Sequence, residues 1–123
     1  MNDMYNKIAQ ALVPYLPEGW EHVVMYAHVK PDVYEIYFYV MVDNKYVNCF
    51  AMEQDYGITR KEVMACFDEI YEILYPDYED KEWYSATVRL TNEGDLVMYY
   101  DYDDHTEDEI EYREAWTEKY LQA

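Results

Sequence analysis

Residues 98–114, MYYDYDDHTEDEIEYRE, carry the densest array of reactive side chains in the chain. Eight carboxylates and one arginine fall between Asp101 and Glu114. Such a run could bind calcium, ligate a transition metal, supply a catalytic acid, open a helix, or face a basic partner. A calcium loop begun at Asp101 puts Asp103 at the third position, as required. It then places His105 at the fifth, Thr106 where glycine is needed and Tyr112 where a bidentate glutamate is needed, so the EF-hand pattern fails.

Transition-metal spacing is also absent. His105 has acidic neighbours but no second histidine close by in sequence. His22 and His28 share one face of a predicted strand but stand roughly 20 Å apart along it, too far for one ion. Cys49 and Cys66 are the two cysteines, with no CxxC between them. Two thiols alone do not make a zinc site, and apolar neighbours at both point to buried, unreactive sulfur. No metal and no other cofactor is expected.

Catalytic motifs fare no better. There is no GxSxG, no phosphate-binding glycine loop and no HExxH. With 27 acidic residues a carboxylate pair is inevitable and carries no information about a glycosidase. No catalytic residue is assigned and an enzyme is not expected. The helix dipole accounts for Glu107, Asp108 and Glu109, which the sequence places in the first turn of a last helix and which gain about 0.3–1 kcal/mol each there. It does not account for Asp101, Asp103 and Asp104. Their mutual repulsion is unneeded for folding and points to a basic partner.

The elements that must hold these residues follow from patterning. The 123 residues suit one domain, taken as 1–123, with a single core. Half the chain is hydrophobic (51%) and 19% is aromatic, which excludes an acidic disordered tail. A net charge of −18 argues against nucleic acid and anionic membrane as partners, both being polyanions. The first residues, MNDMYNKIAQALV, lack a basic leader, and no segment has the roughly 18 apolar residues of a membrane span, so a cytoplasmic protein is expected.

Asn2 or Asp3 can cap a first helix with Met4, Ile8, Ala11 and Leu12 on its packing side, and Tyr5, Val13 and Leu16 near the same stripe. Runs 20–29, 33–42 and 45–52 read as three strands linked by short turns. Thr59 and Glu62 have capping-box spacing and open a second helix that buries Val63, Phe67, Ile70, Tyr71 and Leu74; Pro76 is expected to stop it. Two more strands meet at Asn92-Glu93-Gly94. Thr106 and Glu109 form another capping box, opening a helix to about Leu121 packed through Ile110, Tyr112, Trp116 and Tyr120. The order α-β-β-β-α-β-β-α argues for an α+β domain: a single antiparallel sheet of about five strands with helices packed on it.

Strand alternation sorts the side chains. Tyr34, Ile36, Phe38, Val40 and Val42, with Tyr84, Ala86, Val88, Leu90, Leu96, Met98, Tyr100 and Tyr102, face the core. The opposite face mixes Glu35, Tyr37, Tyr39, Ser85, Thr87, Tyr99 and Asp101. That face is either a half-solvated sheet whose tyrosines pack across strands and under the terminal helices, or a contact surface.

Three pieces in order resemble the YezG-like antitoxin/immunity family. YNKIAQALV with PEGWEHVVMYAHV (5–29) is similar to its helix, Pro-x-x-Trp turn and first strand. VYEIYFYV (33–40) is similar to its aromatic second strand. YYDYDD (99–104) with REAWTEKYL (113–121) is similar to its acidic strand and last helix. The resemblance implies an immunity protein of Gram-positive-type bacteria that binds and blocks a cognate secreted polymorphic toxin, one with an LXG-type secretion domain and a C-terminal nuclease. It transfers no catalytic or contact residue. A nuclease site is rich in lysine and arginine, so a basic toxin surface suits an acidic, tyrosine-bearing patch. The expected centre is Tyr99, Asp101, Asp103, Asp104, Glu107 and Asp108, extended by Glu35, Tyr37 and Tyr39. The alternative is a general acidic protein-interaction domain without a toxin partner.

Overall fold

The computed structural model describes residues 3–121. Four α-helices, α1 (Asp3–Leu12), α2 (Met52–Tyr56), α3 (Arg60–Lys81) and α4 (Glu109–Tyr120), surround five strands: β1 (His22–Lys30), β2 (Val33–Val42), β3 (Lys45–Asn48), β4 (Ser85–Thr91) and β5 (Leu96–Asp101). The strands form one antiparallel sheet in the order β3-β2-β1-β4-β5. The α+β class and the antiparallel sheet match the expectation from patterning.

Turn chemistry sets the register. Asp43 and Asn44 both take positive φ (54° and 64°), the two-residue geometry that lets β2 fold onto β3 without splaying the strands. Gly94, with φ 91°, closes β4 onto β5 as its glycine predicts. β1 lies at the centre and is buried on both faces, because α1 and α3 cover one side and α4 the other.

The larger core is on the α1/α3 side. Ile36, Phe38, Val40 and Val42 of β2 and Ala86, Val88 and Leu90 of β4 meet Val63, Phe67, Ile70 and Leu74 of α3 there. Phe67 is the hub, edge-on to Phe38 at 6.0 Å and to Phe50 at 5.8 Å. The Cys66 thiol donates to the Ala11 carbonyl at 3.4 Å and ties α3 to α1. Burial raises both thiol pKa values, to about 11 at Cys49 and about 12 at Cys66, so both are protonated at neutral pH.

Several local expectations are corrected. The third strand ends at Asn48 rather than 52: the Asn48 side chain accepts from Phe50 N (2.9 Å), turning the chain into a 3₁₀ segment, Cys49–Ala51, and then α2. The order therefore gains a helix. Pro76 does not stop α3. The proline and Glu72, whose carbonyl loses its donor, are both exposed, so water can serve that carbonyl. The extra turn is anchored by Asp77, which accepts from Trp83 Nε1 (3.0 Å) and Tyr100 Oη (2.9 Å). The Thr59–Glu62 capping box forms, but the one at Thr106–Glu109 does not. Of the proposed first-helix caps, Asn2 lies outside the described residues and Asp3 is already helical. Val13, Tyr102 and Ile110, expected to pack, are 45%, 59% and 71% exposed. Tyr102 follows the end of β5 and Ile110 lies on the outer side of α4, so neither meets the sheet.

Candidate functional site

α4 is placed by an aromatic stripe. Tyr112, Trp116 and Tyr120 recur every four residues and so share one helix face. That face lies on Val24 and Tyr26 of β1, with Tyr37, Tyr39 and Tyr46 around it. Trp116 is the buried residue of α4, and its indole N–H donates to Thr87 Oγ1 at 2.9 Å. Tyr112 Oη and Ser85 Oγ are 2.5 Å apart. Arg113 pairs with Glu35 across the helix–sheet gap and with Glu109 at 3.0 Å. Ser85 and Thr87, buried in β4, thus both take part in docking α4.

The loop between β5 and α4 holds the acidic run in a defined shape. Asp101 Oδ1 accepts from Asp103 N at 2.9 Å, and Asp104 Oδ1 accepts from Thr106 N (2.8 Å) and Thr106 Oγ1 (2.5 Å). This last bond is why the expected capping box fails: the Thr106 hydroxyl is turned back to Asp104, and α4 begins only at Glu109. Glu107 and Asp108 accordingly precede the helix instead of sitting in its first turn.

His105 joins the two ends of the loop. Its Nε2 is 3.0 Å from Asp101 Oδ2 and its Nδ1 is 3.1 Å from Asp108, while the ring stacks on Tyr112 with centroids 3.8 Å apart. Burial disfavours the imidazolium, but hydrogen bonds to Asp108 and Asp101 outweigh it and leave the pKa raised. Asp104 is held below the usual carboxylate range by its bonds from Thr106.

Asp101, Asp103 and His105 also bring one donor atom each within 4.8 Å of one another, a cluster that sequence spacing did not anticipate. Both His105 nitrogens already face carboxylates and its pKa is raised. A metal would have to displace one of these contacts to reach a ring lone pair.

The nine residues singled out from the sequence fall into two groups. Asp101, Asp103, Asp104, Glu107 and Asp108 lie together on the loop and at the end of β5, with Tyr99 one turn of the pleat away. Tyr99 is 44% exposed and packs on Tyr120 at 5.7 Å. Glu35, Tyr37 and Tyr39 are on β2, three strands from β5 and so roughly 14 Å away across the sheet. They contact α4: Tyr37 meets Trp116 edge-on at 5.6 Å, Tyr39 lies 6.3 Å from Trp116, and Glu35 holds Arg113. Sequence reasoning missed His105 and the α4 stripe as site elements. The signals were His105 spaced four from Asp101 and three from Asp108, and the four-residue repeat of aromatics.

A family model for YezG-like immunity proteins matches residues 1–123. The chain belongs to the YezG-like immunity protein family. It is 26% identical to Immunity protein YezG of Bacillus spizizenii strain W23, covering 85% of this chain and 70% of that protein. It is 24% identical to Immunity protein YezG of Bacillus subtilis strain 168, over 90% of this chain and 79% of the relative. It is 25% identical to the type VII secretion system protein EsaG of Staphylococcus aureus, over 85% and 69%. Family membership supports an immunity role, in which the partner is a toxin. Among the described residues no helix is long and apolar enough to cross a membrane.

Proposed function

We propose that this family member acts in the cytoplasm of a toxin-producing cell, where it binds a cognate secreted nuclease toxin and neutralises it without chemistry of its own. Contact is made through the acidic edge formed by Tyr99, Asp101, the 102–108 loop and the first turn of α4. The observation that carries this reading is a pre-shaped cluster of exposed carboxylates. Asp103, Asp104, Glu107 and Asp108 are exposed, and the loop that bears them is held by bonds from Asp101, Asp104 and His105.

A surface already held in its binding shape loses little conformational entropy on association. A net charge of −18 speeds encounter with a partner whose active centre must be basic to hold phosphates. A binding role also fits the thiols, which are buried and protonated, and the tyrosines, which offer large contact area at low entropic cost. Glu35, Tyr37 and Tyr39 support the surface from beneath by docking α4.

The test is association with the toxin domain encoded beside this gene, measured by stopped-flow at several salt concentrations. The variant Asp103→Lys/Asp104→Lys/Glu107→Lys is expected to slow association at low salt by about tenfold or more and to flatten its salt dependence. Growth rescue on co-expression should weaken in parallel. An unchanged rate and salt slope would remove the loop from the contact.

A further inference from the structure

The acidic edge also contains a cleft, of about 280 Å³, between β5 and α4. Tyr99, Tyr112, Trp116 and Tyr120 line it with aromatic surface, and Asp101 adds a carboxylate. A cleft of that size accommodates one long side chain.

Two features define what that side chain must be. The first is a cation already drawn to the aromatic wall: Lys119 Nζ lies 5.3 Å over the Tyr120 ring. Aromatic faces attract cations through the ring quadrupole. The second is spare acceptor capacity at Asp101. Its Oδ1 accepts from Asp103 N and its Oδ2 faces His105 Nε2. Each oxygen of a carboxylate has a second lone-pair site; the Tyr112 hydroxyl contests one of them, and a further N–H donor can be accepted at the other. The carboxylates of the adjoining loop add a negative field.

We infer that this cleft is an anchor pocket for an arginine side chain of the partner protein. A planar guanidinium stacks on tyrosine or tryptophan and can direct a pair of N–H groups at one carboxylate; a lysine ammonium is a strongly hydrated point charge that does neither as well. An aliphatic side chain would fill the cleft but add no donor to Asp101 beyond those of Asp103 and His105. Lys119 is the resident cation that the incoming arginine displaces. The inference rests on the proposed interaction role and names the chemistry of its central contact.

The test has two arms. In the first, the isotopically labelled chain is titrated with N-acetyl-arginine amide, N-acetyl-lysine amide or N-acetyl-leucine amide, following the Trp116 indole N–H and the Tyr99 amide by NMR. Saturable shifts with the arginine amide at millimolar concentration are expected, at least threefold tighter than with the lysine amide and absent with the leucine amide. Ala115→Phe, at an exposed position lining the cleft, should abolish them, as should Tyr99→Ala. Lys119→Ala should tighten binding. Equal binding of the leucine amide, or shifts that survive Ala115→Phe, would overturn the arginine pocket.

The second arm measures affinity for the neighbouring toxin domain. Ala115→Phe is expected to lower it tenfold or more, as removal of a hot-spot contact does. Unchanged toxin affinity in Ala115→Phe would overturn the anchor role and leave the immunity reading standing. If the unsubstituted chain fails to bind the toxin domain, the immunity reading falls, and the amide titration alone decides the chemistry of the cleft.

Discussion

The two faces of the sheet are covered by different means. On one, α3 and α1 press Phe67, Ile70, Leu74, Ile8 and Leu12 onto aliphatic and phenylalanine side chains of β1, β2 and β4. On the other, α4 buries one residue fully, Trp116, and relies on directed contacts: Trp116 to Thr87, Tyr112 to Ser85 and Arg113 to Glu35. The first face is held by non-directional burial spread over many side chains; the second depends on a few groups of defined geometry. Stability is therefore concentrated on the α3 side, and the α4 side is free to carry surface chemistry that does not serve folding. The acidic loop sits on the α4 side, where carboxylate repulsion acts on the less deeply rooted element.

The sharpest test of that contrast is Phe67→Ala. It should remove about 3–5 kcal/mol of global stability, read as a lowered midpoint in urea. Trp116→Ala removes a larger side chain but should lower global stability by only about 2 kcal/mol, because α4 can undock before the sheet unfolds. Its signature should be rapid amide exchange confined to α4. An equal loss in the two variants would show that the faces unfold as one unit and would break the comparison.

Helix starts give a smaller version of the same contrast. At α3, Thr59 Oγ1 accepts from Glu62 N at 3.2 Å, and Glu62 Oε1 accepts from Thr59 N. Thr59→Ala should destabilise by about 1 kcal/mol. At α4, Thr106 bonds Asp104 and caps nothing, so Thr106→Ala should stay within about 0.5 kcal/mol. Thermal unfolding of the two variants side by side checks the difference.

The smallest expected effect is a pH dependence of the acidic loop. His105 faces Asp101 at the end of β5, Asp108 and Asp104 on its own loop, Tyr112 on α4 and Tyr84 beside β4. Its folded pKa lies above the ordinary 6.5. The stabilisation from its charged form is thus fully present below pH 6.5 and is lost as pH rises through the folded pKa. Amide exchange in the 101–108 loop, corrected for intrinsic chemistry, should quicken across that window, and His105→Gln should remove the change. A pH-independent profile in the unsubstituted chain would show that the clamp adds no stability.

Much of the architecture is legible because local rules and burial agree. β2 alternates from Glu35 to Val40, so Ile36, Phe38 and Val40 declare the core side. Gly94 declares its turn, and Thr59 with Glu62 declares a helix start. Where reading fails, a contact distant in sequence or a competing local bond has decided. Tyr100, Trp83 and Lys81 hold the turn beyond Pro76 through Asp77. Asp104 captures Thr106 before it can cap α4. Asn48 bends β3 away from its extended course. The candidate site was only partly legible for the same reason: the acids are adjacent in sequence, but the clamp at His105 and the stripe beneath α4 exist only once helix and sheet meet.

The sequence by itself determined the class of fold, the paired faces of the strands, the family and a net charge of −18, since periodicity, turn residues and composition are all carried by the chain. Only the tertiary structure decided which face of the mixed side α4 would cover. Glu35, Tyr37 and Tyr39 were thereby committed to docking that helix, while Tyr99 and the carboxylates of the 101–108 loop were left at the edge. The physical reason is that a side chain's exposure depends on what packs against it. For α4 that is settled by hydrogen bonds and ring contacts to strands 27 to 90 residues away in sequence, beyond the reach of any local pattern.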